Sequence, residues 1–106
     1  LVSDIVSLGQ TLGVASKADG NSLEADKVNF FADLNADATV TLPASAGLVA
    51  GQSIYIKAKN LTSGAKIIIN TQASAQKIDA EDSIVLESPF ASVRLIYVAA
   101  NDFRVF

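Results

Sequence analysis

Apolar and polar residues alternate along residues 51–60, which read GQSIYIKAKN. Successive side chains of a β-strand point to opposite faces. Ile54, Ile56 and Ala58 therefore share one face. The opposite face carries more polar side chains, which are Ser53, Tyr55, Lys57 and Lys59. This pattern predicts a strand with one buried face.

Eight such segments, rich in Val, Ile, Thr, Tyr and Phe, follow one another from residue 28 onward. Short stretches containing Gly, Pro, Asn, Asp and Ser separate them, and these residues favour turns. No helix-length periodic run lies between them, so we expect an all-β fold, an antiparallel β-sandwich or jelly-roll knob. The predicted strands are 28–33, 38–42, 52–59, 65–70, 75–79, 83–87, 92–99 and 102–106.

The N-terminal segment has a different period. Four apolar residues follow heptad spacing, which lays them along one stripe of a helix: Leu1, Ile5, Leu8 and Leu12. Gly9 and Gly13 oppose a helix, and the stripe lasts only two heptads. The segment therefore remains either the end of a coiled-coil stalk or a loosely ordered leader.

These patterns divide the chain into three predicted parts. Residues 1–16 form the stalk remnant or short coiled-coil-like helix, and residues 28–106 form the β knob domain. Residues 17–27 between them are polar and contain the turn signal DGNS, so we expect a linker there.

Some predicted strands are apolar on both faces. Together these strands carry more apolar surface than one small core can bury. In 92–99, Arg94, Ile96 and Val98 oppose the core candidates Val93, Leu95 and Tyr97. Scattered surface hydrophobes are normal and remain one explanation. A homotrimer interface, arranged around an axis shared with the N-terminal stripe, is the other. The predicted interface residues are Leu1, Ile5, Leu8, Leu12, Tyr55, Val85, Ile96, Val98 and Phe106.

Composition excludes several kinds of chemistry. The chain has 106 residues, a net charge of −3 and no His or Cys, so Ser–His and Cys–His catalysis and His-based metal sites are ruled out. Its eight basic residues are scattered, which disfavours nucleic acid as a partner. The chain has no Met, which predicts a fragment or a processed product of a longer protein.

No site for a metal or cofactor stands out in the sequence. Asp79, Glu81 and Asp82 form the densest acidic cluster, but they lack EF-hand spacing and are typical of a solvated turn. The glycine-containing segment GLVAGQS at residues 47–53 lacks the lysine of a P-loop and precedes a strand. We therefore expect no cofactor, no metal and no enzymatic activity.

Residues 36–106 resemble the C-terminal β domains of bacteriophage tail fibres, tail needles and spikes. The matching pieces are TVTLP, GQSIYIK, KIIIN, QKIDAEDSIVLESP and ASVRLIYVAANDFRVF. The chain departs from the common pattern at Ala80, where a glycine is usual, and at Phe103, where a tryptophan is frequent. The resemblance implies a trimeric knob on a trimeric stalk, which the stripe at residues 1–12 fits.

The expected function follows from this resemblance. It is a non-enzymatic structural and adhesion domain on the virion, at the extracellular tip of a fibre or tail needle. There it contacts a host cell-surface component, a glycan or the outer membrane, or plugs the DNA exit channel. The alternative is a monomeric carbohydrate-binding or adhesin module of a bacterial surface protein. A polysaccharide-degrading spike enzyme, acting through paired carboxylates, is a third and minor possibility.

Overall fold

The structure is a computed structural model, and it describes residues 12–106. In this range the chain forms nine strands and a short 3₁₀ helix at Ser45–Gly47. The strands are β1 (Gly13–Lys17), β2 (Lys27–Phe31), β3 (Ala38–Thr41), β4 (Ser53–Lys57), β5 (Ile67–Asn70), β6 (Lys77–Ile78), β7 (Ser83–Leu86), β8 (Ser92–Ala99) and β9 (Asp102–Val105). The all-β prediction is confirmed, and the eight predicted strands are present as β2 to β9 with small shifts at their ends.

Strand β1 lies where the heptad stripe predicted the end of a helix. That prediction is wrong for residues 13–16, which pair with β2 from Gly13 opposite Lys27 to Lys17 opposite Phe31. Gly13 lowers the local helix propensity, and a neighbouring strand satisfies the backbone groups of this segment instead. Leu12 is half-buried just before β1, and Leu1, Ile5 and Leu8 lie outside the described residues.

The strands form two mixed sheets. A six-stranded sheet has the order β1-β2-β4-β8-β9-β6, and a three-stranded sheet has the order β3-β5-β7. The neighbours β1–β2, β2–β4, β3–β5 and β6–β9 are parallel, and the remaining pairs are antiparallel. The expectation of antiparallel pairing throughout is therefore wrong. Periodicity indicates a strand and its buried face, but it carries no information about the direction of the neighbouring strand.

Both sheets contribute to one hydrophobic core. Leu42, Ile56 and Phe103 are almost fully buried, and the rings of Tyr97 and Phe103 pack with centroids 5.2 Å apart. Burying one such apolar side chain stabilises the fold by about 1.5–3 kcal/mol. The core members are Leu23, Phe31, Ala38, Val40, Leu42, Ile54, Ile56, Ala58, Leu61, Ala65, Ile67, Ile69, Ile78, Leu86, Leu95, Tyr97 and Phe103.

The segment that we expected to be a linker, residues 17–27, also contributes to this core. Leu23 is only 2% exposed, and its N–H donates to the carbonyl of Thr41 at 2.8 Å. Ser22 forms a parallel bridge with the same residue. This segment therefore holds β1 and β2 against the edge of the three-stranded sheet. Over the range from Leu12 to Phe106, no helix is long and apolar enough to cross a membrane.

Candidate functional site

The face of the six-stranded sheet that points away from the core carries many apolar side chains, and we call it the outer face. Across four neighbouring strands, the register places Val14, Val28, Tyr55 and Arg94 side by side in one row. A second row, one pleat away, contains Ser16, Phe30, Lys57 and Ser92. Three apolar side chains in these rows are at least partly open to solvent: Val14, Val28 and Phe30. A continuous exposed apolar surface is unusual in a small domain.

A groove of about 340 Å³ crosses this face between Tyr55 and Phe106. The N–H of Phe106 donates to the carbonyl of Arg94 at 2.9 Å, which fixes the C-terminal residue beside β8. The guanidinium carbon of Arg94 lies 5.7 Å from the centroid of the Tyr55 ring, and its Nε donates to Ser53 Oγ at 3.3 Å. The lining residues are Val28, Tyr55, Ile56, Lys57, Ser92, Val93, Arg94 and Phe106.

The comparisons with known proteins give no family for this chain. No protein-family model matches it, and no curated protein matches it.

The described residues that line the groove include two cationic side chains, Lys57 and Arg94, and Phe106, the last residue of the chain. Among the ion pairs between residues 12 and 106, none involves Arg94. Its distance from the Tyr55 ring is that of a cation–π contact, in which the positive charge is attracted to the face of the ring.

The other arginine on this sheet is already paired. Arg104 makes a two-pronged contact with Asp102, with Nε and Nη2 each 3.0 Å from a carboxylate oxygen. This contact lowers the pKa of the Asp102 carboxyl and raises the pKa of Arg104, because the hydrogen bonds stabilise both charged forms. Arg104 is therefore neutralised by Asp102, whereas Arg94 donates to the hydroxyl of Ser53.

Phe90 stands beside the groove in a strained conformation. It is 56% exposed and has a φ of 61°, a region that bulky residues avoid. It occupies the third position of a turn closed by Ala91 N–H donating to Ser88 O, with Pro89 before it, features of a type II turn that favours glycine there. Its N–H donates to the carbonyl of Lys59, and its own carbonyl accepts from Lys57 Nζ. These bonds hold an exposed aromatic ring next to a groove-lining lysine.

The structure divides the predicted interface residues between two sheets. Tyr55, Ile96 and Val98 lie on the outer face, and Phe106 borders the groove on that face. Val85 lies on the other sheet, where it pairs with Ile68 on the side turned away from the core. The set is therefore not one continuous patch.

The sequence analysis did not predict several exposed apolar residues, among them Val14 and Phe90. Val14 is 68% exposed on β1, in a segment that the heptad stripe assigned to a helix. Phe90 is exposed because of the turn geometry around it, which the pattern of apolar residues does not reveal. Of the adjacent Phe30 and Phe31, which must face opposite ways, Phe31 is in the core and Phe30 is 39% exposed.

A second cavity lies at the other end of the outer face. It has a volume of about 460 Å³ and is lined by Lys77, Asp79, Ala80, Asn101, Asp102 and Arg104. Two basic and two acidic side chains line it, so its charges balance, and Arg104 pairs with Asp102 within it. Asp79 Oδ1 accepts from the N–H of Val105 at 3.3 Å. Within the described part of the chain, no group of three acidic side chains is arranged to hold a metal ion.

Proposed function

We propose that this chain is a non-enzymatic structural and adhesion domain that self-associates through its outer face. Specifically, it forms the knob of a homotrimer at the extracellular tip of a phage fibre or tail needle, where it contacts the host cell envelope or plugs the DNA exit channel. The proposal includes a sandwich-like stacking of the two sheets, and a stalk helix to which Leu1, Ile5 and Leu8 would belong.

The exposed apolar side chains of the outer face support this proposal. Val98 and Phe106 are 42% and 69% exposed, and Ile96 is half-buried beside Val98. A protomer interface would remove these side chains from water, at about 25 cal/mol for each Å² of apolar surface buried. The proposed interface centres on Ile96 and Val98, with Tyr55 and Phe106 at its margin. Val85, which lies on the other sheet, is left out of it.

The mass of the protein in dilute solution tests the proposal. We expect size-exclusion chromatography with light scattering, at micromolar concentration, to give three times the 11.0 kDa mass of one chain. A mass near that of one chain would refute the trimeric knob. The measurement uses the whole chain, so residues 1–11 can contribute to assembly.

The groove favours a second candidate, a monomeric carbohydrate-binding or adhesin module. Aromatic walls with a few polar groups between them are typical of small-molecule sites. This candidate differs from the first in assembly, because it requires no self-association. The same light-scattering experiment therefore separates the two.

A further inference from the structure

The chain itself covers two of the edge strands of its sheets. The edge of β3 is bonded by the segment before β2, where the N–H of Leu23 donates to the carbonyl of Thr41 at 2.8 Å. Strand β6 has only two residues, and Ile78 exchanges two hydrogen bonds with Glu81 in the turn that follows. Of the other two edges, β1 adjoins residues outside the described range, whereas β7 has described residues on both sides in the chain.

Strand β7 presents an open edge. Just before it, the N–H of Thr71 donates to the carbonyl of Asp82 at 3.0 Å, and hydrogen-bonded pairs alternate along an antiparallel ladder. Ile84 therefore bonds to β5, and the backbone N–H and C=O groups of Ser83 and Val85 point to the opposite side. Within residues 12–106, no strand or loop bonds to these four groups. The strand also contains no Lys, Pro or bulge, the features by which proteins commonly block an edge.

Carboxylates flank this edge on both sides. Glu81 precedes β7, Glu87 directly follows it, and both are exposed. Every other Asp and Glu between residues 12 and 106 accepts a hydrogen bond or forms an ion pair. Within the same range, Glu81 and Glu87 have no such side-chain partner, so their charges remain free to attract a cation.

The backbone groups and the charges together indicate what binds to the edge. Donors and acceptors that recur at every second residue match the backbone of an extended peptide, which can add to a sheet as a further strand. Two copies of β7, paired in either direction, would bring the glutamates of one chain close to those of the other, and like charges across a strand pair are destabilising. A basic peptide would instead be attracted at both ends of the strand.

We propose that the open edge of β7 binds an extended, basic segment of a partner protein by β-strand addition. The backbone of the segment bonds to Ser83 and Val85, and its basic side chains contact Glu81 and Glu87. The side chain of Val85, which is 43% exposed, packs against an apolar residue of the segment. This edge belongs to the sheet that the proposed protomer interface does not use, so the inference goes beyond the proposed function and does not depend on it.

Titration of the full chain with a synthetic peptide tests the inference. The probe is a capped hexapeptide, Lys-Thr-Val-Thr-Val-Lys, and we expect the amide signals of β7 to shift and saturate in ¹⁵N–¹H NMR spectra. The first control has Glu in place of both Lys residues, and the second keeps the sequence but is methylated on its four central backbone nitrogens. Each control should bind at least about tenfold more weakly, because it loses the charge attraction or the backbone hydrogen bonds. Equal affinity of the probe and either control would overturn the inference, as would the absence of shifts in β7.

A proline on the open edge tests the backbone contact from the side of the protein. Val85→Pro removes an N–H that does not bond to β5, and proline is tolerated on edge strands for this reason. We expect the variant to bind the probe at least about tenfold more weakly. Val85→Thr is the matched control, because it keeps both the N–H and a β-branched side chain, and its affinity should match that of the wild type. Unchanged binding in folded Val85→Pro would refute the assignment. If Val85→Pro does not fold, the methylated peptide tests the same hydrogen bonds on the unaltered protein.

Two double variants test the charges. Glu81→Gln combined with Glu87→Gln should weaken binding of the probe by about tenfold or more. Asp19→Asn combined with Asp33→Asn removes the same charge elsewhere and keeps oxygens that can accept the present hydrogen bonds, so it should leave the affinity unchanged. An equal loss in both double variants would show that net charge attracts the peptide, and would overturn the assignment to these two glutamates.

Light scattering on the same samples separates this inference from the proposed assembly. Folded Val85→Pro should have the mass of the wild type, and a loss of the trimer in it would show that the edge pairs with a second copy, which would overturn the inference. A trimer that does not bind the probe would refute the edge assignment and leave the assembly intact. A single chain that binds the probe at β7 would refute the trimeric knob and leave the edge assignment intact.

Discussion

The buried side chain of Asn29 forms two reciprocal hydrogen bonds with the backbone of Glu24. The N–H of Glu24 donates to Asn29 Oδ1 at 2.9 Å, and Nδ2 donates back to the Glu24 carbonyl at 3.0 Å. Nδ2 also donates to the carbonyl of Tyr55 at 2.9 Å. Asn29 therefore attaches the turn before β2 to β4, the strand that carries one wall of the groove.

Asn29→Ala should destabilise the protein strongly. The change leaves a backbone N–H and carbonyl groups without partners at a position that is 0% exposed, and each such group costs about 1–3 kcal/mol. We expect the free energy of unfolding to fall by about 2–4 kcal/mol in urea titrations. Asn35→Ala is the control, because Asn35 is exposed, and a change there should stay within about 0.5 kcal/mol. Equal effects of the two changes would contradict the role of Asn29.

Ala80→Gly should stabilise the protein. Asp79 and Ala80 form the two central positions of a tight hairpin turn between Ile78 and Glu81, with φ values of 48° and 70°. Glycine adopts positive φ without steric strain, so we expect a gain of about 0.5–1 kcal/mol in unfolding free energy. Ala44→Gly is the matched control, because Ala44 has a φ of −65° and glycine should not stabilise it. A loss of stability in Ala80→Gly would show that another contact governs this turn.

Val98→Asp and Val85→Asp distinguish the two sheet faces. The two valines are 42% and 43% exposed, so the substitutions are matched in solvent access. A charge buried without a partner is unfavourable, and Val98→Asp should therefore lower the mass measured by light scattering to that of one chain. Val85→Asp should leave the mass unchanged, because Val85 lies outside the proposed interface. If instead Val85→Asp lowered the mass and Val98→Asp did not, the interface would lie on the three-stranded sheet.

Glu24→Gln should make stability less dependent on pH in the acidic range. Hydrogen bonds from Lys17 at 2.7 Å and Lys27 at 3.0 Å lower the pKa of the Glu24 carboxyl from its ordinary value of 4.5. Because the pKa is lower in the folded state, the stabilisation is complete above 4.5 and is lost as the pH falls through the folded value.

The difference in unfolding free energy between the wild type and Glu24→Gln should therefore be largest at neutral pH. It should vanish below the folded pKa, where the carboxyl is protonated in both states. Urea titrations at several pH values measure it, and Glu87→Gln serves as the exposed control. A difference that persists unchanged in acid would show that Glu24 acts through something other than its charge.

Part of the candidate site could be predicted from the sequence. Alternation along residues 92–99 and 51–60 placed Tyr55, Ile96 and Val98 on the faces opposite the core residues, and the structure places them there. The groove itself could not be predicted, because it forms only where β4, β8 and the C-terminal residue meet in a particular register. The exposure of Phe90 depends on a positive φ, for which an aromatic residue gives no local signal.

By itself, the sequence determined the all-β class, the eight strands from residue 28 onward and the buried faces of the strands within 51–60 and 92–99, because alternation and turn residues act over a few neighbours in the chain. Only the tertiary structure decided that β1 joins the sheet, that four strand pairs are parallel and that Val85 and Val98 belong to different sheets. Strand direction and sheet membership depend on contacts between distant segments. The burial of Asn29 could not be predicted for the same reason. This polar side chain is buried because it bonds to the turn at Glu24 and to β4 at Tyr55, and the neighbouring sequence does not indicate these partners.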